Sequence, residues 1–285
     1  MIDWIAQHTA VVVAIAFLTL ALVEAVRGLA CSARTTREDA PLELTITLLF
    51  GAVILPGVLT LVGFLGQQFL PGLAGALSAL PLWAMWGLFI VGDDMTQYWW
   101  HRASHSPLLW PLHRAHHSAP HMGVRVVYRN NFFYYAMMPG LWISGALVFL
   151  GLGAVYPWYL LLKGLALLGS HSELRWDRFL YRSRWLQPLA WIVERTISTP
   201  ATHFAHHAIT QDDGIGHYRG NYGNLLFLWD VIFGTAKITR HYPPQVGLKD
   251  DVDNGPERWW VQLLYPLIKS RRAQSALALQ ATIVG

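Results

Sequence analysis

Forty-nine consecutive residues of this 285-residue chain, from Leu44 to Gly92, contain no Asp, Glu, Lys or Arg. A helix needs about 20 apolar residues to cross a bilayer, so this stretch is long enough for two spanning helices and a turn. The whole chain is 54% hydrophobic and only 13% charged, whereas ordinary soluble domains are about 25% charged. The sequence therefore predicts an integral membrane protein.

Two further stretches are poor in charge: Thr9 to Val23 begins a first span, and residues 130–170 contain only Lys163. These patterns predict an all-α fold, a polytopic membrane helical bundle of about four or five spans that forms a single membrane domain over residues 1–285. Lys163 lies too far from the membrane edge to snorkel. It therefore indicates either a shorter span or a contact with a buried carboxylate such as Glu24. The candidate spans are 9–30, 44–66, 76–100, 132–151 and 155–171.

Positive charge follows the first span, at Arg27, Arg34 and Arg37. The positive-inside rule places these residues in the cytoplasm and the N-terminus outside. The histidine-rich segments then share the cytoplasmic face with residues 172–285, which we expect to form a helical cap with interfacial helices because arginines alternate there with tryptophans. Membrane topology accounts for the net charge of +4, so we expect no nucleic-acid partner.

Nine of the thirteen histidines fall into four groups, and three groups have helical spacing. Helical side chains three or four residues apart share a face, so "HRASH", "HRAHH" and "HFAHH" each direct their imidazoles to one point. Metal ligation requires this convergence because the bonds are only about 2.0 to 2.2 Å long. Nine ligands exceed the capacity of one ion and predict a two-metal site, although spacing does not choose among iron, copper, zinc and nickel. The predicted ligands are His101, His105, His113, His116, His117, His171, His203, His206 and His207.

Residues around the histidines carry further predictions. Asp94 lies on one helical stripe with His101, so it either orients a ligand from behind or marks the polar boundary of its span. Pro107 and Pro111 should end that helix. Ser198 or Thr199 should cap the helix of the last box, with Pro200 in its first turn. Eight aromatic residues flank the boxes and indicate either an interfacial belt or a substrate slot: Tyr98, Trp99, Trp100, Tyr128, Phe132, Phe133, Tyr134 and Tyr135.

The ordered boxes "HRASH", "HRAHH" and "HFAHH", followed by "NYGNLLFLWDVIFGT", resemble the fatty acid hydroxylase and sterol desaturase superfamily of integral-membrane di-iron oxygenases. The resemblance covers residues 85–240, the expected catalytic core, and implies that the box histidines bind iron. His171, in "GSHSE", matches the extra histidine that family members place before the last box. Some fatty acyl hydroxylases have two histidines there, whereas this chain has Arg175 four residues later. Asn221 and Asn224, in "NYGN", are therefore candidates to support the ligands from behind.

The resemblance implies an enzyme that uses O2, two iron ions and external electrons to hydroxylate a C–H bond of a lipid, such as a fatty acyl chain or a sterol-like molecule. Zinc can replace the iron in purified protein. We expect a separate electron donor, of the ferredoxin or cytochrome b5 type with its reductase. Lipid desaturation begins with the same hydrogen abstraction and remains an alternative. A non-catalytic zinc-binding scaffold or metal carrier is an alternative of another class, although ligands gathered at one membrane edge do not resemble a transport pathway.

Overall fold

The computed structural model describes residues 8–30, 32–272 and 275–278. Over these residues the chain is helical and has only isolated β-bridges in place of strands, which confirms the predicted all-α fold. Two π-helical segments, Phe50–Ile54 and Ile90–Met95, continue α-helices without a break. The α-helices are Thr9–Val26, Asp39–Leu49, Leu55–Phe69, Leu82–Phe89, Thr96–Ser104, Trp110–His117, Phe132–Ala136, Pro139–Phe149, Tyr156–His171, Arg178–Arg182, Gln187–Thr196, Pro200–His206, Leu228–Ile232, Lys249–Asn254 and Trp259–Leu264.

Three helices in the described part of the chain are long and apolar enough to cross a membrane: Thr9–Val26, Asp39–Phe69 and Phe132–Phe149. Their large apolar side chains face outward, and Leu18 and Phe69 are 64% and 76% exposed. A soluble protein rarely exposes such continuous apolar surface. The protein is therefore a membrane helical bundle.

The five predicted spans agree with these helices only in part. Residues 44–66 lie within Asp39–Phe69, whose 31 residues make a rod about 46 Å long. Residues 76–81 precede the helix that begins at Leu82, and Tyr156–His171 has only 16 residues. The number of spans and their exact limits therefore remain predictions.

Glycines allow the long helices to pack closely. Helix Leu55–Phe69 packs against Pro139–Phe149, where a Cβ on Gly66 would lie 2.8 Å from the ring of Phe149. Small residues have this role at many helix crossings in membranes. The helix that contains most of span 44–66 thus packs against a helix distant in sequence.

Lys163 contacts a buried carboxylate, but the expected partner was wrong. Its Nζ lies 2.5 Å from Asp93 Oδ2, and the hydroxyl of Tyr159 donates to the same oxygen at 2.8 Å. Glu24 instead accepts hydrogen bonds from Val124 N and Ser172 Oγ. The rotation of the helices about their axes decides which carboxylate faces Lys163.

The predicted helix boundaries around the histidine boxes are confirmed. Helix Thr96–Ser104 ends before Pro107, and the next helix begins at Trp110 with Pro111 in its first turn. Thr199 caps Pro200–His206: its hydroxyl accepts from Thr202 N, and its backbone N–H donates to the Thr202 hydroxyl. Because the helices end and begin at these residues, short helices can direct their histidines toward one place from different directions.

Candidate metal centre

The nine histidines expected to bind metal come together in two groups. In each group one nitrogen per ring lies within 4.8 Å of every other such nitrogen. Eight of the nine residues are buried, and His105 is half-buried. The first group is His101, His105, His113, His117 and His206, and the second is His116, His171, His203 and His207.

Each HxxHH box contributes to both groups. His116 and His117 are consecutive on helix Trp110–His117, and successive helical residues point about 100° apart because a turn has 3.6 residues. They therefore enter different groups, as do His206 and His207. The rings of His117 and His207 stack with their centroids 4.4 Å apart, so the two groups are neighbours.

Hydrogen bonds show that the first group suits a cation. Nδ1 of His101 donates to the carbonyl of Tyr222 at 2.7 Å, and Nδ1 of His206 donates to the carbonyl of Gly220 at 2.7 Å. A neutral imidazole that carries its proton on Nδ1 has a lone pair on Nε2. The Nε2 atoms of His101 and His206 lie 3.0 Å apart, so two acceptors face each other. A metal ion bound between such lone pairs removes this conflict.

In the second group, carbonyls hold two of the four rings in the same way. Nδ1 of His116 donates to the carbonyl of Arg129 at 3.0 Å, and Nδ1 of His171 donates to the carbonyl of Leu167 at 2.9 Å. His171 Nε2 lies 2.9 Å from His203 Nε2, while His203 Nδ1 is buried without a hydrogen-bond partner among the described residues. The donor set of buried neutral imidazoles fits iron, zinc or copper.

Burial also keeps these rings in the form that binds metal. It lowers the pKa of His116, His117, His206 and His207 well below the ordinary value of 6.5, and neighbouring histidines lower it further. Desolvation disfavours the charged imidazolium. The rings are therefore neutral at pH 7, with lone pairs available.

Asp94 supports the first group of histidines indirectly, through a backbone loop. Its carboxylate accepts hydrogen bonds from Leu225 N at 3.2 Å and from Trp229 Nε1 at 2.8 Å. These hydrogen bonds fix the loop that contains Tyr222, whose carbonyl accepts a hydrogen bond from His101 Nδ1. Asp94 thus acts through a backbone loop, not through a hydrogen bond to a histidine.

Asn221 acts in a similar way on the neighbouring loop. Its side-chain oxygen accepts from Lys237 N at 2.7 Å, and its Nδ2 donates to the carbonyl of Thr202 at 2.9 Å. The preceding residue, Gly220, supplies the carbonyl that holds His206. Asn221 has a φ of 57°, a left-handed conformation that asparagine tolerates better than most residues.

Arg129 is an important residue that sequence reasoning missed. Its buried guanidinium donates to Asp39 Oδ1 at 2.7 Å and to the carbonyl of Ala115 at 2.8 Å, with Glu43 at 3.3 Å. The backbone carbonyl of Arg129 accepts a hydrogen bond from His116 Nδ1. The available signal was an arginine placed only three residues before an apolar segment that begins at 132.

A cavity borders the metal centre on one side. It reaches His101, His113, His116 and His171, and Asn224 lies in its wall. Three of the eight aromatic residues predicted to form a belt or a slot line it, whereas Trp99 is 44% exposed. These three are Tyr128, Tyr134 and Tyr135, and the other apolar lining residues include Phe50, Leu55, Val127, Met138, Leu141, Leu160 and Leu167. A largely apolar cavity of this kind suits an alkyl chain.

A second cleft reaches other histidines. It is lined by His105 and His117 together with Trp110, Arg219 and Lys249. The Trp110 ring lies 5.4 Å from the ring of His105 and 5.4 Å from that of His117. Arg219 and Lys249 are exposed. The metal centre is thus bordered by an apolar cavity and by a basic cleft that contact different histidines.

Comparison with known proteins identifies the family. The profile of the family described as fatty acid hydroxylase matches residues 86–235, a segment that contains all nine histidines. The chain belongs to the fatty acid hydroxylase family. The resemblance seen in the histidine boxes is thereby confirmed.

Three curated relatives of this family member are alkylglycerol monooxygenases. The protein of Xenopus tropicalis is 30% identical over 161 residues, and that of Danio rerio is 30% identical over 154 residues; each match covers 53% of this chain and 30% of the relative. The human protein is 28% identical over 157 residues, which cover 54% of this chain and 30% of the relative. The chain therefore matches less than a third of the length of these relatives. No solved structure matches it significantly.

Proposed function

We propose that this chain is a membrane-bound di-iron monooxygenase that hydroxylates a C–H bond of a lipid. The observation that carries the proposal is the pair of adjacent groups of buried histidines, in which two pairs of Nε2 atoms face each other at 2.9 and 3.0 Å and carbonyls engage Nδ1 of His101, His206 and His171. Membership of the fatty acid hydroxylase family favours iron over the other metals that imidazole binds. The relatives named alkylglycerol monooxygenase favour a lipid substrate.

The residues of the chain have distinct tasks in this reaction. The nine histidines hold two iron ions, and bound iron supplies the ability to activate O2 for attack on an unactivated C–H bond. The apolar cavity holds the alkyl chain against His101, His113, His116 and His171 and excludes bulk water. Fixing one carbon beside the metal centre is the main contribution that the protein can make to the rate.

The basic cleft provides a route for electrons. Oxygenation needs electrons from outside, and we propose a separate ferredoxin or cytochrome b5 type donor on the cytoplasmic face. Trp110 lines the cleft beside His105 and His117, and its ring centroid lies 5.4 Å from each of theirs. Arg219 and Lys249 give the cleft a positive charge that attracts an acidic donor.

The cavity argues against a purely structural zinc site. Structural zinc is normally enclosed by four protein ligands with no open position. Here a cavity opens onto four of the histidines. This arrangement gives a ligand access to the metals, as catalysis requires.

The first test is metal content per chain in protein purified from iron-replete cells. We expect about two irons in the wild type, a loss from the first group in His206→Ala, a loss from the second in His116→Ala, and none in the double variant. His241→Ala is the matched control because His241 is exposed and belongs to neither group. Stoichiometric zinc under the same conditions, with no O2 consumption after reduction, would refute the proposal.

Product analysis completes the test. Reduced protein, O2 and a mixture of alkylglycerol, fatty acyl and sterol lipids should yield one product that has gained an oxygen atom. A product that has instead lost two hydrogens would identify a desaturase.

A further inference from the structure

The wall of the apolar cavity has a polar stripe that the metal centre does not explain. Asp93, Gln97 and His101 are spaced by four residues on a continuous helix, and all three line the cavity. Residues with this spacing share one face of a helix. Asn224 lines the same cavity, two residues after Tyr222, whose carbonyl holds His101. Hydrocarbon alone would leave Gln97 Oε1 and Asn224 Nδ2 unmatched.

Two polar atoms of the cavity wall lack partners. Gln97 is only 7% exposed, and neither its Oε1 nor the buried Nδ2 of Asn224 has a hydrogen-bond partner within the described part of the chain. The oxygen requires a donor, and the amide nitrogen requires an acceptor. Buried polar atoms are nearly always satisfied, so exceptions call for an explanation. A bound polar group that both donates and accepts provides one.

The hydrogen-bonding capacity of the cavity wall narrows the choice of polar group. The carboxylate of Asp93 already has partners: Lys163 Nζ lies at 2.5 Å, and the Tyr159 hydroxyl donates to it at 2.8 Å. The two orphan atoms that remain are one acceptor, Gln97 Oε1, and one donor, Asn224 Nδ2. An ionised carboxylate only accepts hydrogen bonds and would leave Gln97 Oε1 unmatched, whereas a hydroxyl both donates and accepts.

We propose that Gln97 and Asn224 form a hydroxyl-binding subsite, in which a lipid hydroxyl donates to Gln97 Oε1 and accepts from Asn224 Nδ2. Gln97 and His101 are one helical turn apart, which separates their Cβ atoms by about 5 to 6 Å. A hydroxyl held there places the C–H bonds next to the polar end of the lipid beside the histidines. The enzyme then selects lipids with a free hydroxyl and oxidises them near that end. This inference rests on the proposed function, in which the cavity holds the lipid.

Three ligands with the same alkyl chain test the subsite: hexadecanol, hexadecyl methyl ether and hexadecane. Equilibrium binding is measured in one detergent with the full, zinc-loaded chain. We expect the alcohol to bind about fivefold more tightly than the ether, and the ether about fivefold more tightly than the alkane, as for one hydrogen bond each. Gln97→Leu should remove the difference between alcohol and ether. Asn224→Leu should remove the difference between ether and alkane.

Controls separate recognition from folding. Leu160→Ala, at an apolar position of the same wall, should weaken all three ligands equally, and Gln97→Met repeats the key test with a flexible apolar side chain. Equal binding of alcohol and ether by the wild type would overturn the proposal, as would variants at Gln97 that weaken all three ligands alike. Because binding is measured without turnover, a failure to oxidise lipids would count against the proposed function alone.

Discussion

Arg129 Nη1 lies 2.7 Å from Asp39 Oδ1, and the side chains are only 1% and 3% exposed. This buried pair joins the start of the long membrane helix to the metal centre, because the carbonyl of Arg129 also holds the ring of His116. The orientation of the His116 ring thus depends on Arg129, whose side chain is held in place by the ion pair with Asp39.

Replacing Arg129 with Met should destabilise the protein by about 3 to 5 kcal/mol, since it leaves the buried carboxylates of Asp39 and Glu43 without their cation. We also expect lower metal content, because His116 loses its fixed orientation. Unfolding in denaturant and metal analysis provide the measurements. Arg37→Ala is the control: its side chain is 80% exposed and reaches Glu38 only at 3.6 Å, so it should have little effect. Unchanged stability of Arg129→Met would show that the pair does not hold this region.

Asp94→Asn tests whether a residue that touches no ligand still supports the metal. The amide has one acceptor oxygen where the carboxylate has two, so the loop of Leu225 and Trp229 should loosen. We expect about a tenfold loss of metal affinity, typical of changes just behind metal ligands. Competition with a chelator measures it. Asp212→Asn, where the carboxylate accepts from the Thr210 hydroxyl at an exposed site, should leave the affinity unchanged, and an equal loss in both variants would contradict the role of Asp94.

The convergence of the nine histidines could be predicted from sequence because residues three or four apart on a helix point in the same direction. Which histidines share a group could not be predicted. His116 and His117 are adjacent, yet they belong to different groups, and only the tertiary placement of His171 and His203 shows this. Local periodicity therefore identifies candidate ligands, whereas the packing of distant helices sorts them.

The hydrogen-bond acceptors that orient the histidine rings could not be predicted from sequence for another reason. The rings of His101, His116 and His206 donate to backbone carbonyls, and any residue type can supply a carbonyl. Sequence therefore contains no signal for Tyr222 or Arg129 in this role. Asp94 was found because its charge stands out in an apolar segment.

The lowered histidine pKa values predict a pH-dependent stability of the metal-stripped protein. Burial lowers the pKa of His203 and His206 well below 6.5. Below pH 6.5 these histidines therefore bind protons in the unfolded chain but stay unprotonated in the folded chain. The free energy of unfolding is therefore at its full value above pH 6.5. Below that pH it falls by about 1.4 kcal/mol per pH unit for each such histidine. Melting temperatures at pH 7.5, 6.5 and 5.5 measure this. His206→Ala should flatten the slope and His241→Ala should not; stability that does not change over this range would contradict the prediction.

Lys163 and Asp93 should show strong coupling. Lys163→Met leaves a buried carboxylate without its cation and should cost about 3 to 5 kcal/mol, whereas the double variant with Asp93→Leu removes both charges and should recover most of that loss. A double-mutant cycle of unfolding free energies measures the coupling. Additive effects would mean that the 2.5 Å contact contributes little.

Charge reversal in the basic cleft tests the proposed electron route. Arg219→Glu with Lys249→Glu repels an acidic donor from the cleft that reaches His105 and His117, so reduction by the donor protein should slow by about tenfold at low salt. The difference should vanish near 1 M salt, where the Debye length is only about 3 Å. Reduction by dithionite, which needs no docking, should remain as fast as in the wild type. Arg184→Glu, an exposed arginine that does not line this cleft, is the matched control. If the double variant accepts electrons from the donor at the wild-type rate in low salt, the donor docks elsewhere.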